Sequence, residues 1–193
     1  MLVLTNLSVI FISLGFYQLY RQLFTSNGWR YKEGFIKILQ YALGLPALVS
    51  LVLLLADFDE LDGYSIPLSE EILVSGLVIL NAAALITLWA HRKLGDHWSG
   101  DLETKPDHQV VHSGPYRWIR HPQYSSYLFI TLGLFLTTGN WLVSALVFLY
   151  FSAVAARSWK EEKMLLERLG SKYALYRSRT GRFLPKVLSV RAQ

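Results

Sequence analysis

The sequence predicts an all-α integral membrane protein: five transmembrane helices, the last two a tight hairpin, followed by cytoplasmic C-terminal helices. Three observations carry that expectation. The 193 residues are 52% apolar with a mean hydropathy of +0.30, too hydrophobic for an ordinary soluble domain with such long apolar runs. The apolar residues gather into runs near the length a membrane crossing demands. The nineteen Lys and Arg residues fall only in alternate connections between those runs. The length suits a single domain, residues 1–193.

The first run, Leu2 to Tyr20, has only Thr5, Asn6, Ser8, Ser13 and Gln18 as polar breaks. A cleaved leader carries its positive charge ahead of the apolar stretch. Here Arg21 follows it, so the run reads as a retained first span. Arg21 to Lys37 is a short basic connection. Phe35 to Ala56 is the second span, with Gly44 and Pro46 near its middle and a kink expected at the proline. Asp57 to Glu71 is acidic. Ile72 to Ala90 is the third span, about 28 Å long at the helical rise. His91 to His121 is the long polar connection. Pro122 to Thr138 is the fourth run, opened by a proline suited to a first helical position. The Gly139-Asn140 turn ties it to the fifth, Trp141 to Ala156. Arg157 to Leu169 is amphipathic and ends at Gly170, a plausible cap. Ser171 to Arg179 is a second short amphipathic helix, and Thr180 to Pro185 leaves it.

Four basic residues lie in 21–37, five in 91–121 and ten from 157 onward. None lies in 57–71 or at the Gly139 turn. The positive-inside rule then puts the first and third connections and the tail in the cytoplasm, with the N-terminus outside. The pI near 9.4 is explained by topology and affinity for lipid headgroups, not by nucleic-acid binding. The chain has no cysteine, which excludes a disulfide framework, a thiolate metal site and a cysteine nucleophile. His108 and His112 are four apart, but the other histidines supply no further pair at ligand spacing, so no metal is expected. No Gly-x-Gly occurs, which excludes a soluble-type dinucleotide fold.

The polar segments 91–121 and 157–193 fall on one face. Any water-soluble cofactor would have to bind there, and a lipid-like partner would enter between helices from the bilayer. Gly114-Pro115-Tyr116-Arg117-Trp118-Ile119-Arg120-His121-Pro122-Gln123-Tyr124 is the densest stretch. It sets a guanidinium, an imidazole and a phenol at a helix N-terminus, where unpaired N–H groups offer a seat for an anion. The same residues also suit a headgroup anchor and an aromatic belt. Glu161 and Glu162 follow Arg157 by four and five residues. There a carboxylate can bind a diol or attract a cation, and Arg157 can neutralise an acceptor carboxylate. Arg157 and Glu161 are equally spaced for an ordinary helical ion pair.

At these residues the chain resembles the isoprenylcysteine carboxyl methyltransferase family, with its prokaryotic relatives and the phospholipid N-methyltransferases. The motifs are Leu94-Gly95-x-x-Trp98-Ser99, Val111-x-x-Gly114-x-Tyr116-x-x-Ile119-Arg120-His121-Pro122-x-Tyr124, Glu161-Glu162, and Gly170-x-x-Tyr173-x-x-Tyr176 leading to Thr180-Gly181-Arg182-x-x-Pro185. The resemblance implies S-adenosylmethionine as methyl donor. It implies a cofactor pocket of His112, Gly114, Tyr116, Arg120, His121, Pro122, Tyr124, Glu161, Glu162, Tyr173, Tyr176 and Arg182. His112 stands where several relatives carry a lysine. Arg157 is implied as the basic residue beside the acceptor.

The acceptor implied is lipidic or prenylated, with methylation of a carboxylate oxygen expected. An amine acceptor, as in the phospholipid N-methyltransferases, would need a base, and His121 and Glu162 are nearest. Two further readings remain open at the level of sequence. One is an NADPH-dependent sterol-type reductase, which shares an Arg-His-Pro and a tyrosine-rich tail. The other is a non-catalytic membrane protein whose basic face binds anionic lipid.

Overall fold

The computed structural model describes residues 9, 29–30, 35–95, 103–104 and 109–186. Apart from residue 9, the expected first span lies outside the described residues, as do His97, Trp98 and His108. The described chain is helical. Its helices are α1 (Phe35–Leu55), α2 (Glu70–Leu94), α3 (Pro122–Thr138), α4 (Trp141–Ala156), α5 (Ser158–Leu169) and α6 (Ser171–Arg179). Short 3-10 turns stand at Asp59–Tyr64 and Gly114–Arg117. One departure from an all-helical chain is a two-residue antiparallel pair, β1 (Trp29–Arg30) with β2 (Glu103–Thr104).

Three stretches are long and apolar enough to cross a membrane: Lys37–Leu55, Glu70–Leu94 and Trp141–Leu169. Helix α3, at 17 residues, is about 26 Å long, just short of a typical hydrocarbon core. On α1 the residues Phe35, Ile38, Leu45, Leu48 and Val52 are all exposed. Such an apolar stripe is costly in water and favourable against lipid.

Local chemistry sets the helix ends. Ser69 precedes α2 in an extended conformation, with Glu70 and Glu71 in the first turn and His91, Arg92 and Lys93 in the last. Both charge groups complement the helix dipole. The helix thus outruns the expected span, Ile72 to Ala90, because charged residues end the apolar run without ending the helix. Pro46 lies inside α1, which continues through it. Pro122 opens α3, and Gly139 closes it in the left-handed region at φ 69°. Asn140 then caps α4, its Oδ1 accepting from the Val143 N–H at 3.0 Å.

Helix α2 packs most extensively on α3, and α1 on α4. Leu80, Ala83, Ile130, Leu134 and Val143 are fully buried at the centre. Small residues let α2 and α3 meet backbone to backbone. A Cβ on Gly76 would stand 2.6 Å from the Thr137 nitrogen, and one on Gly133 would stand 2.8 Å from the Leu80 nitrogen. Membrane helices gain much of their association from such close approach and from hydrogen bonds across the interface. Thr87 Oγ1 and Ser126 Oγ, 2.7 Å apart, supply one.

At one end of the bundle the hairpin turn is clasped by the 57–66 connection. Asn140 Nδ2 donates to Leu61 O at 2.8 Å and to Ser65 Oγ at 3.2 Å, and Ile66 N–H donates to Gly139 O. At the other end α5, α6 and the segment after them gather at the foot of α3.

Candidate functional site

The foot of α3 is built from two strands of chain far apart in sequence. Gly114, at φ +59°, holds the first turn against α2, where a Cβ would press to 2.7 Å from Lys93 Cγ. Residues 180–183 return beside this segment. Arg120 N–H donates to Gly181 O at 2.8 Å, His121 N–H to Arg182 O at 3.0 Å, and Gly181 N–H to Trp118 O at 3.1 Å. Gly181 has no room for a side chain, because a Cβ there would overlap Leu184 O. Ser125 Oγ donates to Phe183 O, and Tyr176 Oη to Tyr116 O at 2.7 Å.

The anion seat expected at the start of α3 is therefore partly filled from within. The amides of Arg120 and His121, just ahead of its first turn, already donate to tail carbonyls. The Arg120 guanidinium is likewise turned inward, donating to Glu162 and to the carbonyls of Arg177 and Thr180.

Glu162 lies at the centre of this cluster, with 3% of its side chain exposed. Its Oε1 accepts from Arg120 Nε at 2.9 Å and Arg182 Nε at 3.1 Å, and lies 3.2 Å from His121 Nε2. Its Oε2 accepts from Arg182 Nη2 at 2.8 Å, with Arg177 Nε at 3.5 Å. Burial works to raise the carboxyl pKa. Hydrogen bonds from His121, Arg182 and Arg120 outweigh it and hold the group well below the ordinary carboxylate range.

Glu161 points to the other side. Its side chain is 30% exposed, Tyr124 Oη donates to its Oε2 at 3.1 Å, and His121 Nδ1 lies 3.7 Å from the same oxygen. The His121 and Tyr124 rings stack at 5.3 Å, and Phe183 flanks His121 at 6.0 Å. Arg157 marks the break between α4 and α5, one turn before Glu161. Tyr116 and Tyr173 are buried, which pushes both hydroxyls well above their ordinary pKa, and burial pushes Tyr176 up to about 12. All three stay protonated as hydrogen-bond donors at neutral pH.

The structure thus brings Tyr116, Arg120, His121, Tyr124, Glu161, Glu162, Tyr176 and Arg182 into one linked network. Tyr173 joins it through its ring, 5.9 Å from that of Tyr176. Pro122 is buried as the first residue of α3. His112 stays apart, exposed, with Nδ1 3.1 Å from Val110 O. Sequence reasoning missed Arg177, Phe183 and Ser125. It also missed Trp159, whose ring lies 3.6 Å under the Arg182 guanidinium. Phe183 sits inside the Thr180–Pro185 motif and had that signal; the other three had none. Among the described residues no group of three or more His, Cys, Asp or Glu is placed to hold a metal ion.

Residues 74–167 match the family model described as the isoprenylcysteine carboxyl methyltransferase (ICMT) family. The protein-S-isoprenylcysteine O-methyltransferase of Saccharomyces cerevisiae is 27% identical over 132 residues, 66% of this chain and 55% of that protein. The uncharacterized protein YpbQ of Bacillus subtilis is 30% identical over 47 residues, 24% of this chain and 28% of that protein. Among solved structures, the eukaryotic intramembrane Ras methyltransferase ICMT is similar in fold, with a TM-score of 0.57 at 23% identity. That likeness covers 76% of this chain and 52% of the other. The chain spans about half the length of the yeast relative. The resemblance to the isoprenylcysteine carboxyl methyltransferase family is thus shown over residues 74–167, which hold the first three motifs; the fourth, Gly170 to Pro185, lies beyond the match.

Proposed function

We propose that this protein is an S-adenosylmethionine-dependent membrane methyltransferase that methylates the carboxylate of an isoprenylcysteine-like or other lipidic acceptor. The observation that carries the reading is the convergence of the motif residues at the foot of α3, where Glu161 keeps an open face beside the His121–Tyr124 stack. The family model, over residues 74–167, covers Tyr116, Arg120, His121, Tyr124, Glu161 and Glu162 of this cluster and stops short of Tyr173, Tyr176 and Arg182, and the comparisons favour neither the reductase nor the phospholipid N-methyltransferase.

The residues present fit the methyl donor. A part-exposed carboxylate flanked by aromatic rings is a donor set suited to a sulfonium and a ribose diol. His121, Tyr124, Glu161, Tyr116 and Tyr176 would hold it, with Gly114, Pro122 and Tyr173 shaping the wall and Arg120, Glu162 and Arg182 behind. His112 would lie at the rim. When bound, S-adenosylmethionine supplies an electrophilic methyl group on a positively charged sulfur. Arg157 neutralises and orients the acceptor carboxylate. The aromatic side chains exclude water, and a dry site favours a step in which opposite charges disappear. Alignment of the two partners supplies much of the rest. An ionised carboxylate needs no general base.

In the proposed arrangement residues 1–193 form one domain with five spans. The N-terminus is outside, and α5, α6 and the site are cytoplasmic. Residues 91–186 form the cofactor-binding half, and the acceptor reaches it from the bilayer. The Lys and Arg distribution supports this orientation. The test is binding of S-adenosylhomocysteine to the detergent-solubilised protein, with Glu161→Ala alongside. Micromolar binding lost in the variant is expected. Binding of NADPH in its place would overturn the reading.

A further inference from the structure

We propose that Glu162 is a positioning residue that assembles the site and touches neither methyl donor nor acceptor. The kinetic part of this rests on the methyltransferase reading; the structural part rests on geometry alone.

A carboxylate offers about four acceptor positions. Glu162 Oε1 faces Arg120 Nε, Arg182 Nε and His121 Nε2, and Oε2 faces Arg182 Nη2 with Arg177 Nε at 3.5 Å. With 3% of its side chain exposed, no face is left for a ligand. Arg120 belongs to the foot of α3, Arg182 to the returning segment, and Glu162 to α5. One carboxylate therefore fastens three elements.

Arg177 adds a third guanidinium at 3.5 Å. Without the Glu162 charge, three guanidiniums would face each other around a buried point, with the Arg120 side chain only 9% exposed. Their repulsion pushes residues 177–183 away from α3. Glu161 is the contrasting neighbour, carrying a single hydrogen bond from Tyr124 and an open side.

The clasp also orients His121. An ionised carboxylate only accepts, so His121 Nε2 carries the proton that Glu162 receives, an assignment made from the partners. Nδ1 is then left to the other side of the ring. It lies on the side of Glu161 Oε2, 3.7 Å away. Glu162 thereby selects which nitrogen faces the open side of the cluster.

The test uses the full-length protein in detergent with no ligand present, treated with limiting trypsin. Cleavage at Arg177 and Arg179 reports release of the segment, because proteolysis tracks the opened population. Glu162→Gln and Arg182→Gln are each expected to speed cleavage about 10-fold or more, as loss of charge-assisted hydrogen bonds implies. The double variant is expected to be no faster than the faster single one. In methyl-transfer assays both single variants raise KM for S-adenosylmethionine about 10-fold and keep kcat within about threefold. Glu161→Gln weakens donor binding with cleavage unchanged.

Unchanged cleavage in a folded Glu162→Gln protein overturns the proposal. Independent, multiplying effects on KM in the double variant overturn it too, since they mark direct contact with the donor. If Glu162→Gln does not fold, Arg182→Gln decides by the same two readouts. Absence of all methyl transfer would sink the methyltransferase reading and leave the cleavage result to judge the clasp alone.

Discussion

At Glu162 burial and hydrogen bonding act in opposite directions on the carboxyl, and the outcome fixes how the protein responds to acid. Because its folded pKa is lowered below the ordinary 4.5, its stabilising effect is fully present above about pH 4.5 and is lost as pH falls through the lower folded value. The melting-temperature gap between wild type and Glu162→Gln is therefore expected to be constant from pH 7 to about pH 5 and to narrow below pH 4. A gap that narrows between pH 7 and 5 would contradict this. Removing one partner from so buried a cluster costs about 3–5 kcal/mol. Arg177 is 46% exposed, and Arg177→Ala is expected to cost under about 1 kcal/mol in the same melting assay. The sequence flagged both glutamates as a pair. It gave no means of separating them, because the partners of Glu162 lie 42 and 20 residues away in Arg120 and Arg182.

Among the elements, the helices whose ends carry strong local chemistry were the most legible. The expected bounds of α3 and α4 hold to the residue, because Pro122 starts one and the Gly139-Asn140 turn separates them. The two-residue pair of β1 and β2 had no signal, since so short a ladder has no period to detect. The tight α2–α3 contact was also hidden, because a glycine within an apolar run does not reveal which backbone will approach it. Gly133→Val is expected to lower stability by about 1–3 kcal/mol through overpacking against Leu80. Asn140→Ala removes the α4 cap and the donor to Leu61 O, at about 1–3 kcal/mol. Thermal melting in detergent checks both, and a variant matching wild type would contradict the packing or the clasp it tests.

For the whole molecule, membrane character was plain in composition and run length, and the exposed apolar stripe of α1 agrees with it. The proposed orientation was read from charge alone and is open to direct test, because the chain contains no cysteine. Gly63 has open space around it, and Lys172 is exposed on α6. In right-side-out vesicles an impermeant maleimide is expected to label Gly63→Cys at once and Lys172→Cys only after permeabilisation. The reverse pattern would invert the topology.

The return of residues 180–183 to the foot of α3 also ties the site to the order of synthesis. A ribosome makes α3 and its hairpin partner well before it reaches Gly181 and Arg182. During that interval every described helix long enough to cross the membrane is already complete. Arg120 meanwhile lacks the carbonyls of Gly181's neighbourhood and the Glu162 carboxylate still lacks Arg182. Insertion and competence are thus separate events, and a chain halted at residue 179 is expected to reach the bilayer intact and remain unable to form the site.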